Sequence, residues 1–206
     1  MAFFLESARA DEARASQKLG FVSGILTNPD LMRQLDKPTL DTLEELVEIV
    51  DGHVFYHLTA PTLEGRIDEA WQAYDLRPDR VVVKLAATTE NLRFMSRVSE
   101  IDVAITSVFS PLQGYAAAEA GADYVIVHFN RADKLLNGQG LNLIADMVQL
   151  LARFDVEVLA GEIQTAEQAL QILQLGVHHV ALPFDILCKV GDHPLTERVL
   201  QEMDPT

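Results

Sequence analysis

The chain has 206 residues, 49% of them hydrophobic, and a formal net charge of −15. That length suits one globular domain over residues 1–206, with a core of its own. The acidic balance argues against nucleic acid and anionic membranes as partners, because each phosphate contact needs Lys or Arg.

AFFLE (2–6) reads as the first strand. The start MAFFLESARADEA lacks the basic region and small-residue cleavage pattern of a signal, which points to the cytoplasm. A helix follows over 8–20, stopped by Gly20. FVSGIL (21–26) is a second strand, TNPD turns into a short helix, and 37–52 forms a longer one with Leu43, Leu46, Val47 and Val50 on one face. HVFYHL (53–58), RVVVK (80–84), DVAIT (102–106), DYVIVHF (123–129), VEVLAG (156–161) and HHVALP (178–183) are further strands. The helices between them cover 62–76, 88–100 with Thr89 as N-cap, 110–121, 141–154 after the loop NGQG, and 165–176. A last helix spans 193–203. No apolar run is long enough to cross a bilayer. Cys188 is the only cysteine, so neither an internal disulfide nor a cysteine-based zinc site is expected.

Strands alternating with helices argue for a parallel sheet. Eight such units in short-looped succession argue for an α/β fold closed as a (β/α)8 TIM barrel. An open doubly wound sheet is the competing arrangement, but no G-x-G-x-x-G turn follows the first strand. The residues at the strand ends are Glu6, Thr27 with Asn28, His57, Lys84, Thr106, His128, Glu162 and Asp185. Each follows apolar residues, and a barrel brings such ends to one mouth, where barrel enzymes place their active sites. The opposite ends, Asp79–Arg80, Asp102 and Asp123, read as solvated entry residues.

Lys84 ends a valine run. Burial disfavours its charged form, and a neutral amine is a nucleophile toward carbonyl carbon. Glu6 could move protons beside it, and Thr27, Asn28 and Thr106 could hold substrate oxygens. The other reading is that Lys84 snorkels, its ammonium in water.

Several stretches resemble the transaldolase family, in particular its fructose-6-phosphate aldolase-like branch: GILTNPD, VVVKLAATTENL, TSVFSPLQGYAAAEAGADYV, FNRAD and ALPFDI. The resemblance covers almost the whole chain and implies a (β/α)8 barrel. It also implies a Schiff-base aldolase or transaldolase, a lyase or transferase of carbohydrate metabolism that makes or breaks a carbon–carbon bond and needs no cofactor. By resemblance, Lys84 is the Schiff-base lysine and Glu6 stands for the acid–base aspartate. Asn28 holds substrate, Thr106 helps hold the catalytic water and Arg131 binds the substrate phosphate.

The departures lie in the mouth. His57 replaces a water-side glutamate or glutamine, His128 a tyrosine or phenylalanine, and Glu162 a serine that joins the arginine on phosphate. Leu26 and Ala86 replace a threonine and a proline. A carboxylate at 162 repels a phosphate dianion and pairs with Arg131, so a non-phosphorylated carbonyl or sugar substrate is expected. His57 and His128 could serve acid–base chemistry. Alternatively, with Glu6 or Glu162, they could ligate a divalent metal, although no short-spaced ligand motif supports a metal. An altered mouth also leaves open a catalytically silent barrel that binds a ligand or protein. The resemblance implies a homo-oligomer, a pentamer or decamer. The chain stops at LTERVLQEMDPT, earlier than aldolase-like members, which weakens the case for a decamer and suggests a more open mouth.

Overall fold

A computed structural model describes residues 1–203. Its parallel strands are β1 (Ala2–Glu6), β2 (Val22–Leu26), β3 (His53–His57), β4 (Val81–Ala86), β5 (Val103–Thr106), β6 (Tyr124–His128), β7 (Glu157–Gly161) and β8 (His179–Leu182). They pair in sequence order, and β1 closes on β8. The helices are α1 (Ala10–Gln17), α2 (Pro29–Arg33), α3 (Thr39–Ile49), α4 (Leu63–Leu76), α5 (Thr89–Phe94), α6 (Pro111–Glu119), α7 (Phe129–Leu135), α8 (Gly140–Leu151), α9 (Ala166–Gln174), α10 (Phe184–Leu187) and α11 (Pro194–Met203). The architecture is a single-domain (β/α)8 barrel.

The strands read as unbroken apolar runs because both faces are buried. Along a strand, side chains alternate between faces. One parity fills the barrel interior with Phe4, Leu26, Phe55, Val82, Ala104, Ile126, Leu159 and Ala181. The other parity packs outward on the helices, through Leu5, Ile25, Val54, Val83, Ile105, Val127 and Ala160 among others. Threonine and serine caps set where several helices start: Thr62, Ser110 and Thr165 accept from the backbone of Gly65, Gln113 and Gln168.

Four details differ from the sequence-based expectation. Strand β4 continues through Leu85 to Ala86, which pairs with Thr106, so Lys84 lies inside the strand. The N-cap of α5 is Thr88, whose extended backbone lets Oγ1 accept from Asn91 N at 3.2 Å; Thr89 is already helical. Phe129 leaves the sixth strand to begin α7, a short helix held by burial of Phe129 and Ala132. The strand-entry residues are not merely solvated. Arg80 donates to the carbonyls of Val47 and Val50, and Asp123 accepts from Val103 N at 2.7 Å.

Candidate functional site

The interior parity that carries Phe4, Phe55, Val82, Ala104, Ile126 and Leu159 continues, two residues on, to Glu6, His57, Lys84, Thr106, His128 and Gly161. These positions form the uppermost layer of the barrel interior. Register fixes their neighbours: His57 pairs with Lys84 across β3 and β4, and His128 with Gly161 across β6 and β7.

Lys84 is 0% exposed, which rules out the snorkelling arrangement. Its Nζ donates to the carbonyl of Thr27. Burial pushes its pKa down to about 8, against the pull of the Glu6 and Glu162 carboxylates. A neutral amine is therefore within reach at physiological pH.

Glu6 is pushed up to about 7, chiefly by burial, while a hydrogen bond from Glu162 N and the charge of Lys84 act in the other direction. That hydrogen bond reaches Oε2 at 2.8 Å. Both protonation states of Glu6 are thus populated near neutrality, as a group that both gives and takes protons requires.

The histidines are held neutral. His57 falls to about 4 through burial and the Lys84 charge. His128 falls to about 3 for the same two reasons in that order, with Arg131 and His57 adding to the effect. His128 Nδ1 stands 3.8 Å from Glu162 Oε1, beyond hydrogen-bond reach. That nitrogen and Thr106 Oγ1 are buried with no hydrogen bond to the protein. Unpaired buried polar atoms are costly, and these two lie in the uppermost layer of the barrel interior beside Lys84 and Gly161.

Arg131 and Glu162 form an ion pair at 2.7 Å on the rim. Burial pushes the Glu162 carboxyl up, and Arg131 pulls it back. Gly161 lies beneath this pair. A Cβ there would stand 2.9 Å from Leu26 Cδ2, 3.5 Å from His128 Nδ1 and 3.8 Å from Glu6 Oε2, so three side chains converge on the space glycine leaves open.

The remaining expected residues lie differently. Thr27 has the outward parity, and its hydroxyl donates to Phe55 O at 2.6 Å; it meets the site through its carbonyl on Lys84. Asn28 caps α2, its Oδ1 accepting from Leu31 N at 2.9 Å. Asp185 lies beyond the end of β8 on α10, exposed, outside the interior ring. Two cavities flank the mouth. One, of about 470 Å³, runs past Glu6, Arg9, Leu31, Phe184 and Asp185. The other, of about 230 Å³, is lined by Asn28, Met32, Tyr56, His57 and Thr59. Neither is lined by Lys84. Among the described residues, no three His, Cys, Asp or Glu side chains are grouped to hold a metal, and no helix is long and apolar enough to cross a membrane.

Sequence reasoning missed Gly161, Asn130 and Gln168. Asn130 lies beside Arg131 in FNRAD, so its motif was visible. Its partner is visible only in three dimensions: Asn130 Nδ2 donates to the Glu162 carbonyl.

Residues 3–206 match the family described as transaldolase/fructose-6-phosphate aldolase. A probable transaldolase of Thermoanaerobacter sp. (strain X514) is 32% identical over 201 residues, covering 96% of this chain and 92% of its own. One of Anaeromyxobacter sp. (strain Fw109-5) is 32% identical over 206 residues, covering 98% and 95%. Among solved structures, mandelate oxidase with benzoyl-formic acid superposes with a TM-score of 0.67 at 14% identity over 98% of this chain and 70% of that one. At that identity the likeness concerns the barrel alone.

Proposed function

Since the chain belongs to the transaldolase/fructose-6-phosphate aldolase family, we propose that it is a Schiff-base aldolase or transaldolase acting through Lys84 on a small, non-phosphorylated carbonyl or sugar substrate. The observation that carries this reading is the fully buried amine of Lys84, depressed to about 8, in one layer with a carboxyl raised to about 7.

The neutral Lys84 amine attacks the carbonyl carbon. Glu6 in its acid form gives a proton to the carbonyl oxygen, and water leaves as the protonated imine forms. The carboxylate of Glu6 then takes the proton of the substrate hydroxyl beside the bond that breaks. The aldehyde departs, and the electron pair passes into the imine nitrogen as an enamine. Thr106 Oγ1 and His128 Nδ1, buried and without protein partners, are suited to hold the water or hydroxyl that exchanges with Glu6. His57, neutral beside Lys84, adds no competing cation, and Asn28 borders the smaller cavity, where it can receive a substrate hydroxyl. The preference for an uncharged substrate rests on Glu162, which neutralises Arg131 at 2.7 Å and would repel a phosphate dianion. The oligomer that the resemblance implies is supported by α11, whose Leu195, Val199, Leu200 and Met203 are exposed.

The test is trapping. The protein is incubated with dihydroxyacetone, dihydroxyacetone phosphate, fructose and glyceraldehyde, borohydride is added, and adducts are mapped by mass spectrometry. A reduced adduct on Lys84, stronger with dihydroxyacetone than with its phosphate and absent in Lys84→Arg, is the expected result. A preference for the phosphate removes the assigned role of Glu162. No adduct with any of the four assigns the chain instead to the silent-barrel reading.

A further inference from the structure

The loop after β7 holds its shape at a cost. Glu162 has φ 52°, in the left-handed region that residues other than glycine rarely adopt. Something must offset that cost, and two amides from neighbouring helices do so. Asn130, in the first turn of α7, donates from its Nδ2 and, at 3.4 Å, from its backbone N to the Glu162 carbonyl. Gln168, in the first turn of α9, donates from Nε2 to Asn130 Oδ1 at 3.2 Å and accepts at Oε1 from Gln164 N at 2.8 Å. The loop is thus pinned at Glu162 by one amide and at Gln164 by the other, and the two amides are joined. On the inner side of the same residue, Glu162 N donates to Glu6 Oε2.

We infer that Asn130 and Gln168 are positioning residues. As a linked pair they hold the left-handed turn at Glu162 so that its main-chain N–H stays on the carboxyl of Glu6. Neither touches the mouth directly; Asn130 acts through the backbone of Glu162, and Gln168 acts through Asn130 and the backbone N of Gln164. The inference rests on the proton-transfer role proposed for Glu6, and it adds that this role is set from outside the barrel by the two helices that follow β6 and β7.

Several other groups face Glu6. Lys84 from β4, Glu162 after β7 and Arg131 from α7 act on it through charge, and His128 from β6 borders the same gap above Gly161. None of these charges is removed by changing Asn130 or Gln168 to alanine. A shift in the Glu6 titration in those variants therefore reports the hydrogen bond, which favours the ionised form.

The experiment needs no turnover. The full chain is labelled with 13C at glutamate carboxyls, the Glu6 signal is identified by its absence in Glu6→Gln, and its titration midpoint is followed in wild type, Asn130→Ala and Gln168→Ala. Circular dichroism checks that each variant is folded. The midpoint is expected to rise by about one unit in Asn130→Ala and by about half a unit in Gln168→Ala. Gln168 is partly exposed, so its variant keeps the test alive if loss of Asn130 unfolds the chain. In folded variants, the pH profile of borohydride trapping on Lys84 should move by the same amount. An unchanged Glu6 midpoint in either folded variant overturns the inference. Failure of the carbonyl reading would appear separately, as wild type that forms no adduct while the midpoint still moves.

Discussion

The two ends of the barrel hold similar polar residues and treat them in opposite ways. At the N-terminal end, most polar groups are paired, although His179 Nδ1 and Arg80 Nε are buried without a hydrogen-bond partner. His53 Nδ1 meets Tyr124 OH at 3.0 Å, His179 Nε2 meets Glu157 Oε2 at 2.9 Å, and His178 Nδ1 accepts from Val158 N at 2.9 Å. At the C-terminal end, the polar groups are buried faster than they are paired. Lys84 has one backbone carbonyl, and Thr106 Oγ1 and His128 Nδ1 have no protein partner. The first arrangement lowers the free energy of the fold. The second raises it, and a fold keeps such a cost where it serves chemistry. The difference makes the sign of a stability change diagnostic.

The largest effect is expected at Lys84. Lys84→Met keeps the volume and removes a buried amine that burial disfavours, at the loss of one hydrogen bond to Thr27 O. Denaturant unfolding should show a gain of about 1–3 kcal/mol, together with complete loss of carbonyl trapping. A destabilised variant would show that Lys84 belongs with the paired residues of the other end.

The mouth side of this contrast was legible in the chain itself, whereas the pairing at the other end was not, since its residues read as solvated. Parity carries it: valines at 81–83 in a doubly buried strand put Val82 and Lys84 on one face, and the same reading puts Glu6 above Phe4 and His57 above Phe55. The depth of Lys84 was not legible, because β4 runs on to Ala86 and nothing in RVVVKLA separates a strand end from a strand interior. The role of Thr27 was misread for the opposite reason: Leu26 and Thr27 are adjacent, so only one of them can face inward, and it is Leu26. Helix α7 was missed because its seven residues, about two turns, carry too little periodicity to detect. The left-handed backbone of Glu162 could not be anticipated, since glutamate gives no hint of positive φ. The pairing of Glu162 with Arg131 followed from the family resemblance, which puts the two side by side, together with their charges, and it is present.

A second effect shows the unpaired character of the mouth through pH. The folded-state pKa of Glu6 is raised from 4.5 to about 7. Between those values the native state binds a proton that the unfolded state has lost, so Glu6 makes stability fall as pH rises through this window. His57 and His128, lowered from 6.5 to about 4 and about 3, act with the opposite sign: their cost is relieved as pH rises toward 6.5. With two histidines set against one carboxyl, wild type should gain stability as pH rises toward about 6.5 and level off near pH 7. Glu6→Gln keeps the histidine contribution alone, so its advantage over wild type should grow by about 1–3 kcal/mol between pH 4.5 and pH 7.5. A constant difference across that range would place the Glu6 carboxyl in ordinary solvent contact.

The smallest effect tests the N-terminal end. Tyr124 fills the barrel bottom against Phe55, with ring centroids 5.0 Å apart, and its hydroxyl meets His53 Nδ1. Tyr124→Phe retains the ring and the packing. It removes only the hydroxyl, leaving a partly buried imidazole nitrogen to find water or go unpaired. The expected change is a loss of about 1 kcal/mol, read as a lower denaturant midpoint with an unchanged slope, and no change in Lys84 trapping. The sign carries the argument. At the mouth, removing a polar group should stabilise the chain and stop the chemistry, whereas at the bottom it should weaken the fold and leave the chemistry intact. If Tyr124→Phe slowed trapping without changing stability, the two ends would be coupled through the interior column of Phe55 and Val82 beneath His57 and Lys84, and the division between a fold-bearing end and a reacting end would fail.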